Sequence, residues 1–162
     1  MQISEYNRVV ETIGPALYRF ALKNLNDHDQ AKEIVQVTLE KLWTHSRQQP
    51  IEHVRAWCFR VASNALVDHH RHRSKFQDLS PVNEPLVEPE HSDVRLKVVI
   101  EKALDQLSSA QRLVVTLRDL EGYSYAEIGS ITGQNEAQVK VNLFRGRQKL
   151  RDILSPFKPN PS

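Results

Sequence analysis

Side chains suited to holding nucleic acid gather at two places in this 162-residue chain. One is the C-terminal stretch around Glu136, Gln138, Lys140, Val141, Asn142, Arg145, Arg147 and Lys149, where cations outnumber acids. Glutamine can pair with a base edge, lysine can reach a base or a phosphate, and arginines farther along a helix are placed for phosphates. The other is a row of Arg60, Asn64 and Asp68 at four-residue spacing, running into Arg71, Arg73 and Lys75. A third polar row, Asp29, Glu33, Gln36 and Glu40, taken alone reads as a solvated helix face.

Metal and enzyme chemistry are poorly supported. His69, His70 and His72 point in different directions on a helix and have no cysteine or acid at zinc-type spacing. There is no phosphate-cradling glycine loop and no nucleophile–base pairing signal. No catalytic residue, metal or cofactor is expected.

These side chains need helices to carry them. Asn26-Asp27 breaks one helix, and a second is predicted from Asp29 to His45, burying Ala31, Ile34, Val35, Leu39, Leu42 and Trp43. A third is predicted from Val54 to Arg71, burying Val54, Trp57, Cys58, Val61, Ala62 and Ala65. Farther on, Ser108 with Gln111 and Ser124 with Glu127 are capping boxes. After the first of these, Leu113, Val114, Leu117 and Leu120 form an apolar stripe, which Gly122 ends. A turn at Thr132-Gly133-Gln134, with Asn135 as the next cap, leads into a last helix from Glu136 to Leu154. That helix buries Val139, Leu143, Gly146 and Leu150. A short helix, a glycine-bearing turn and a longer helix make a helix-turn-helix, whose second helix enters the major groove.

Between the two basic regions, Phe76 to Asp93 holds Pro81, Pro85 and Pro89 with Asp78, Glu84, Glu88, Glu90 and Asp93, and no Lys or Arg. Proline at that density disfavours helix. The expected fold is therefore all-α: a helical domain over 1–75, an extended acidic linker over 76–95 and a helix-turn-helix domain over 96–162. The near-neutral total of +2, from 22 basic and 20 acidic residues, is then two basic patches offset by an acidic strap. A single cysteine fits a reducing cytosol. No apolar run approaches the ~20 residues of a membrane span, and Met1–Arg8 lacks the pattern of a secretory signal.

Three runs in order resemble the extracytoplasmic-function sigma factors of RNA polymerase. Asp29 to Leu39, DQAKEIVQVTL, resembles the family's DAEDLVQETF stretch; Val54 to Asn64, VRAWCFRVASN, is similar to RAWLFRIARN. Leu104 to Arg151, with LRDLEGYSYAEIG and a closing R-x-R-x-x-L-R, resembles the second conserved domain. The resemblance implies a cytoplasmic promoter-specificity subunit that docks on the clamp and flap of the two large polymerase subunits. It implies promoter DNA as the other partner, an anti-sigma factor as a further one, and no membrane insertion. Asp29, Glu33, Gln36 and Glu40 become the polymerase-facing stripe. Asn64 falls where the family forms a pocket for an extruded base of the −10 strand, with Arg60, Asp68, Arg71, Arg73 and Lys75 beside it. The residues from Glu136 to Lys149 named above become the −35 reader.

Two departures stand out. Val37 replaces an acidic residue, and Val141-Asn142 stand where Ser-Arg is common. Phe144 is left between core packing and a thymine methyl. The alternative reading is a helix-turn-helix regulator of duplex operator DNA. A decoy that binds polymerase without initiating is a third.

Overall fold

The computed structural model describes residues 1–76 and 92–157, with side chains over the narrower spans 1–72 and 94–156. Every regular element among them is helical. Helix α1 (Ile3–Leu25) ends at Asn26, the one non-glycine residue among those described with left-handed backbone (φ 51°). Asp27 then caps α2 (His28–Gln48), its carboxylate accepting from the Gln30 amide at 3.0 Å. That Asn-Asp pair lets two long helices fold back as a hairpin, because asparagine tolerates the left-handed turn. Tyr6 locks the hairpin by donating to the Leu39 carbonyl at 3.1 Å and setting its ring edge-on to Trp43.

Helix α3 (Val54–Phe76) crosses both. It runs five residues beyond the predicted end at Arg71. Of the face predicted on α2, Ala31, Ile34 and Leu42 are buried and Val35, Leu39 and Trp43 half-buried. On α3 the predicted Cys58 and Ala62 are buried, but Phe59 and Leu66, absent from that prediction, are buried as completely.

Helix α4 (Ser92–Asp105) starts inside the stretch predicted as linker. The acidic, proline-bearing segment over 77–91 lies outside the described residues. Ser108 caps α5 (Ser109–Val115) through the predicted box with Gln111, and the helix continues as a π turn over Thr116–Leu120. The wider turn breaks the expected stripe: Leu113, Val114 and Leu117 are buried, whereas Leu120 is 47% exposed. Inserting one residue rotates everything after it on the helix surface. Gly122 (φ 76°) closes the turn, followed by α6 (Tyr125–Thr132) and α7 (Glu136–Leu154).

Two separately packed halves would each be near the size where a core is marginal. The buried residues instead form one contiguous cluster running from α1 and α3 into α5, α6 and α7. Its bridge is aromatic: Phe20, Phe59 and Tyr123 stand in series, with ring centroids 5.1 and 5.5 Å apart.

Candidate nucleic-acid interface

The helix-turn-helix is built by its caps. Ser124 Oγ accepts from the Glu127 amide at 3.1 Å while Glu127 accepts from the Ser124 amide at 3.0 Å. These bonds, the backbone one first, hold the Glu127 carboxyl below its ordinary range. Helix α6 stops at Gly133, whose φ of 77° glycine adopts without penalty. One turn earlier, a Cβ on Gly129 would sit 2.9 Å from the Gln134 carbonyl, so the turn closes directly over it. Asn135 caps α7 by accepting from the Gln138 amide at 2.8 Å, and Gln138 answers by accepting from the Asn135 amide at 2.9 Å. Ile128, Ile131, Val139 and Leu143 are buried between these helices.

Helix α7 then sorts its polar side chains. Glu136, Gln138, Lys140, Val141, Arg145 and Lys149 are exposed. Gln138 spends its carbonyl oxygen on the cap, so its amide nitrogen remains to donate. Lys140 is paired with Glu136 at 3.6 Å and lies 5.9 Å from the Tyr125 ring centre. Asn142 is half-buried and donates to Gln134 at 3.0 Å, which ties it to the turn. Arg147 forks onto Asp119 at the end of the π turn, with Nε to Oδ2 at 3.2 Å. That bond raises its already high pKa further. The spacing predicts a phosphate contact for Arg147, and in the free protein its guanidinium braces α7 against the π turn. Arg145 and Lys149 have no ion-pair partner among the described residues. Phe144 is 67% exposed, so it is not core, and it lies one turn from exposed Val141.

On α3, Arg60, Asn64 and Asp68 are exposed on one face, and Arg71 follows, exposed. Arg73 and Lys75 lie in the last turns of α3, and their side chains are outside the described residues. Trp57, predicted as core, is half-buried and packs on His45 with ring centroids 5.3 Å apart. His69 and His70 have ring centroids 6.0 Å apart, and no metal-holding group of three His, Cys, Asp or Glu occurs among the described residues. On α2, Asp29, Glu33, Gln36 and Glu40 are all exposed, and Val37 beside them is half-buried.

The α3 row is not isolated from the helix-turn-helix. Arg60 shares a groove with Trp57 on its own helix and Glu127, Ser130 and Ile131 of α6. The α3 row therefore abuts the first helix of the helix-turn-helix. A set of residues outside all three predicted surfaces makes this junction. Glu121, 1% exposed at its side chain, lies between Arg19 (3.5 Å) and Arg55 (3.1 Å). Asn24, buried, donates to Thr116 at 3.0 Å, and Arg112 donates to the Asn24 carbonyl at 2.8 Å. Residue types gave no sign of this, since Glu121 looks like any exposed acid before a glycine.

Comparison with known proteins follows the same division. Residues 9–76 match the family model for sigma-70 region 2, and residues 97–150 match that for sigma-70 region 4. The chain is 30% identical over 143 residues to the ECF RNA polymerase sigma factor SigM of Bacillus subtilis, covering 85% of this chain and 87% of that protein. It is 28% identical over 158 residues to SigE of Mycolicibacterium smegmatis, covering 93% of this chain but spanning only 62% of SigE. Its fold is similar to that of the sigma factor RpoE of Bartonella quintana, solved in complex with the anti-sigma factor NepR. The TM-score is 0.78 at 24% identity, covering 96% of this chain and all of that one. This chain belongs to the extracytoplasmic-function RNA polymerase sigma factors. Proteins of that family are not themselves catalysts, and among the described residues no helix is long and apolar enough to cross a membrane.

Proposed function

We propose that this protein binds core RNA polymerase in the cytoplasm and directs it to a set of promoters, where it reads the −35 element and captures the melted −10 strand. The observation that carries the reading is the ordered match of region 2 and region 4 over residues 9–76 and 97–150. The two domains are assigned as 1–75 and 96–162, with the acidic strap of 76–95 between them. A conventional operator-binding regulator is not favoured, because the first half matches a sigma region rather than a dimerisation or ligand domain.

Each surface has a physical task. The exposed stripe of Asp29, Glu33, Gln36 and Glu40 supplies carboxylates to a basic patch on the polymerase clamp, and region 4 lies near the flap. Asn64 offers two donors and an acceptor to a base edge, and extruding that base costs a few kcal/mol, which a receiving site must offset. Arg60 and Arg71, with Arg73 and Lys75, hold adjacent phosphates, and Asp68 borders them. On α7, Glu136, Gln138, Lys140, Val141 and Asn142 form the base-facing end, and Arg145 and Lys149 add phosphate affinity. An anti-sigma factor is a further partner, since such a protein accompanies the B. quintana structure.

Transcription with purified core enzyme is the test. Promoter-dependent initiation is expected, and a chain that neither initiates nor co-elutes with core would refute the reading. Within it, Asn64→Ala should reduce permanganate-detected strand opening at least tenfold while −35 duplex affinity changes less than twofold. Equal loss of both would remove Asn64 from the strand pocket.

A further inference from the structure

We infer that α7 reads thymine through its 5-methyl group, with Val141 and Phe144 as the specificity-determining residues and Ala137 beside them. The inference rests on the −35 assignment of α7 and adds to it the chemistry that this helix recognises. Val139, Leu143 and Gly146 are the buried side of α7. At about 100° per residue, the direction opposite that side belongs to Ala137, Val141, Phe144 and Gln148. Ala137, Val141 and Phe144 are exposed, Phe144 by 67% and Val141 by 45%. Their i, i+4, i+7 spacing makes a second apolar row on a helix whose core face is already filled. The row turns polar at Gln148, which donates to Asp152 at 3.4 Å. It is thus confined to the first half of α7, the part of a recognition helix that meets base edges.

The polar side chains of the same turns are engaged within the protein. The Gln138 carbonyl oxygen accepts from the Asn135 amide at 2.9 Å. That leaves Gln138 a donor but takes away the acceptor that two-bond recognition of adenine needs. Asn142 donates to Gln134 at 3.0 Å, and Lys140 pairs with Glu136 at 3.6 Å. No arginine precedes Arg145 on α7, so the first two turns hold no guanidinium fork for guanine. What α7 offers a base edge is therefore an apolar strip, and the apolar group on major-groove base edges is the thymine 5-methyl. Seating Phe144 and Val141 against such methyls takes out of water the apolar surface that the fold leaves wet. Charge selects duplex DNA over an apolar protein face as the occupant, because cationic Lys140 and Arg145 flank the strip and suit the phosphates on either side of a groove. From Ala137 to Phe144 the strip covers about 10 Å of helix axis, roughly three base-pair steps of about 3.4 Å. A short thymine-rich run is the site it fits.

The test selects sites from a randomised duplex library with the full chain assembled on purified core, discarding sequences that core alone retains. The upstream selected block should contain thymines. Replacing one of them by deoxyuridine, which lacks only the 5-methyl group, should lower affinity about fourfold, the worth of one buried carbon. Val141→Ala with Phe144→Ala should bind the thymine duplex about tenfold more weakly and no longer distinguish it from the deoxyuridine duplex. Both side chains are exposed, so helical content and melting temperature should be unchanged. An upstream block without thymine overturns the inference, as does equal affinity of the unmodified chain for thymine and deoxyuridine duplexes. A double variant that keeps the thymine preference overturns it too. If that variant instead loses affinity for core at unchanged DNA affinity, the strip contacts protein and the inference fails. A chain that does not assemble on core refutes the sigma-factor reading. The same selection and deoxyuridine comparison with the chain alone then decide the inference, and the absence of any selected sequence there overturns it.

Discussion

Two arginines two positions apart on α7 illustrate how little residue type decides by itself. Arg145 and Arg147 look equivalent in sequence, yet one has no ion-pair partner among the described residues and the other is forked onto Asp119. Arg145→Ala is expected to lower affinity for all duplex sequences alike and to flatten the slope of log affinity against log salt by about one unit. A sequence-selective loss with an unchanged slope would make Arg145 a base reader. Arg147→Ala should lower the melting temperature more than it lowers DNA affinity, because it removes a brace. Cys58 follows the same logic in the interior. Burial pushes its thiol up to about 12, so hardly any thiolate exists at pH 8. A thiol reagent at pH 8 should leave the native chain unmodified for hours and react within minutes in denaturant. Rapid native reaction would show that the α1–α3 core opens locally.

At the scale of elements, the sequence was most legible where a local rule acts alone. The boxes at Ser108 and Ser124, the cap at Asn135 and the glycines at 122 and 133 each follow from one side chain or one backbone angle, and each stands where predicted. The π turn was not legible, because it depends on partners on α1 and α7 that only the tertiary fold supplies. The start of α4 was hidden by the acidic composition it shares with the preceding segment.

Gly129 shows a local rule losing to packing. Replacing a helical glycine with alanine ordinarily gains about 1 kcal/mol. Here the new Cβ would meet a backbone carbonyl at 2.9 Å, and overpacking costs roughly 1–3 kcal/mol. Gly129→Ala should therefore destabilise, and a raised melting temperature would show that the turn yields. The Ser124 cap is worth about 1 kcal/mol, so Ser124→Ala should lower the melting temperature by about 3 °C. Because the Glu127 carboxyl is held below its ordinary range, its contribution is fully present above the unfolded-state pKa. It fades as pH falls through the lower folded value. The stability difference between the native chain and Glu127→Gln should therefore shrink between pH 5 and pH 3. A constant difference would remove the charge from the cap's account.

For the whole molecule, composition and helix patterning pointed to two helical units, and the α2, α3 and α7 faces were readable because amphipathic spacing marks them. What joins the units was not readable. Phe59 follows directly on Cys58, where a helical period cannot tell a wider buried face from an exposed neighbour, and Glu121 is buried only because two arginines from elsewhere meet it. Joining matters for stability, but only up to a limit. The stabilisation one half receives from the other cannot exceed the free energy of docking, since beyond that the halves part and unfold alone. Both tryptophans, Trp43 and Trp57, lie in the first half, but Trp57 also lines the groove against α6. In a Trp57→Phe background Trp43, set against Tyr6, follows the first half alone, while far-ultraviolet dichroism follows both. Tyr123→Ala, in the second half, should lower the urea midpoint seen by dichroism and also the midpoint seen by tryptophan. For a docking contribution of about 1 kcal/mol and a slope of about 2 kcal/mol/M, the tryptophan shift is about 0.5 M. A tryptophan midpoint that stays fixed while the dichroism midpoint falls would mean that the halves unfold independently, and that the Phe59–Tyr123 contact carries no coupling.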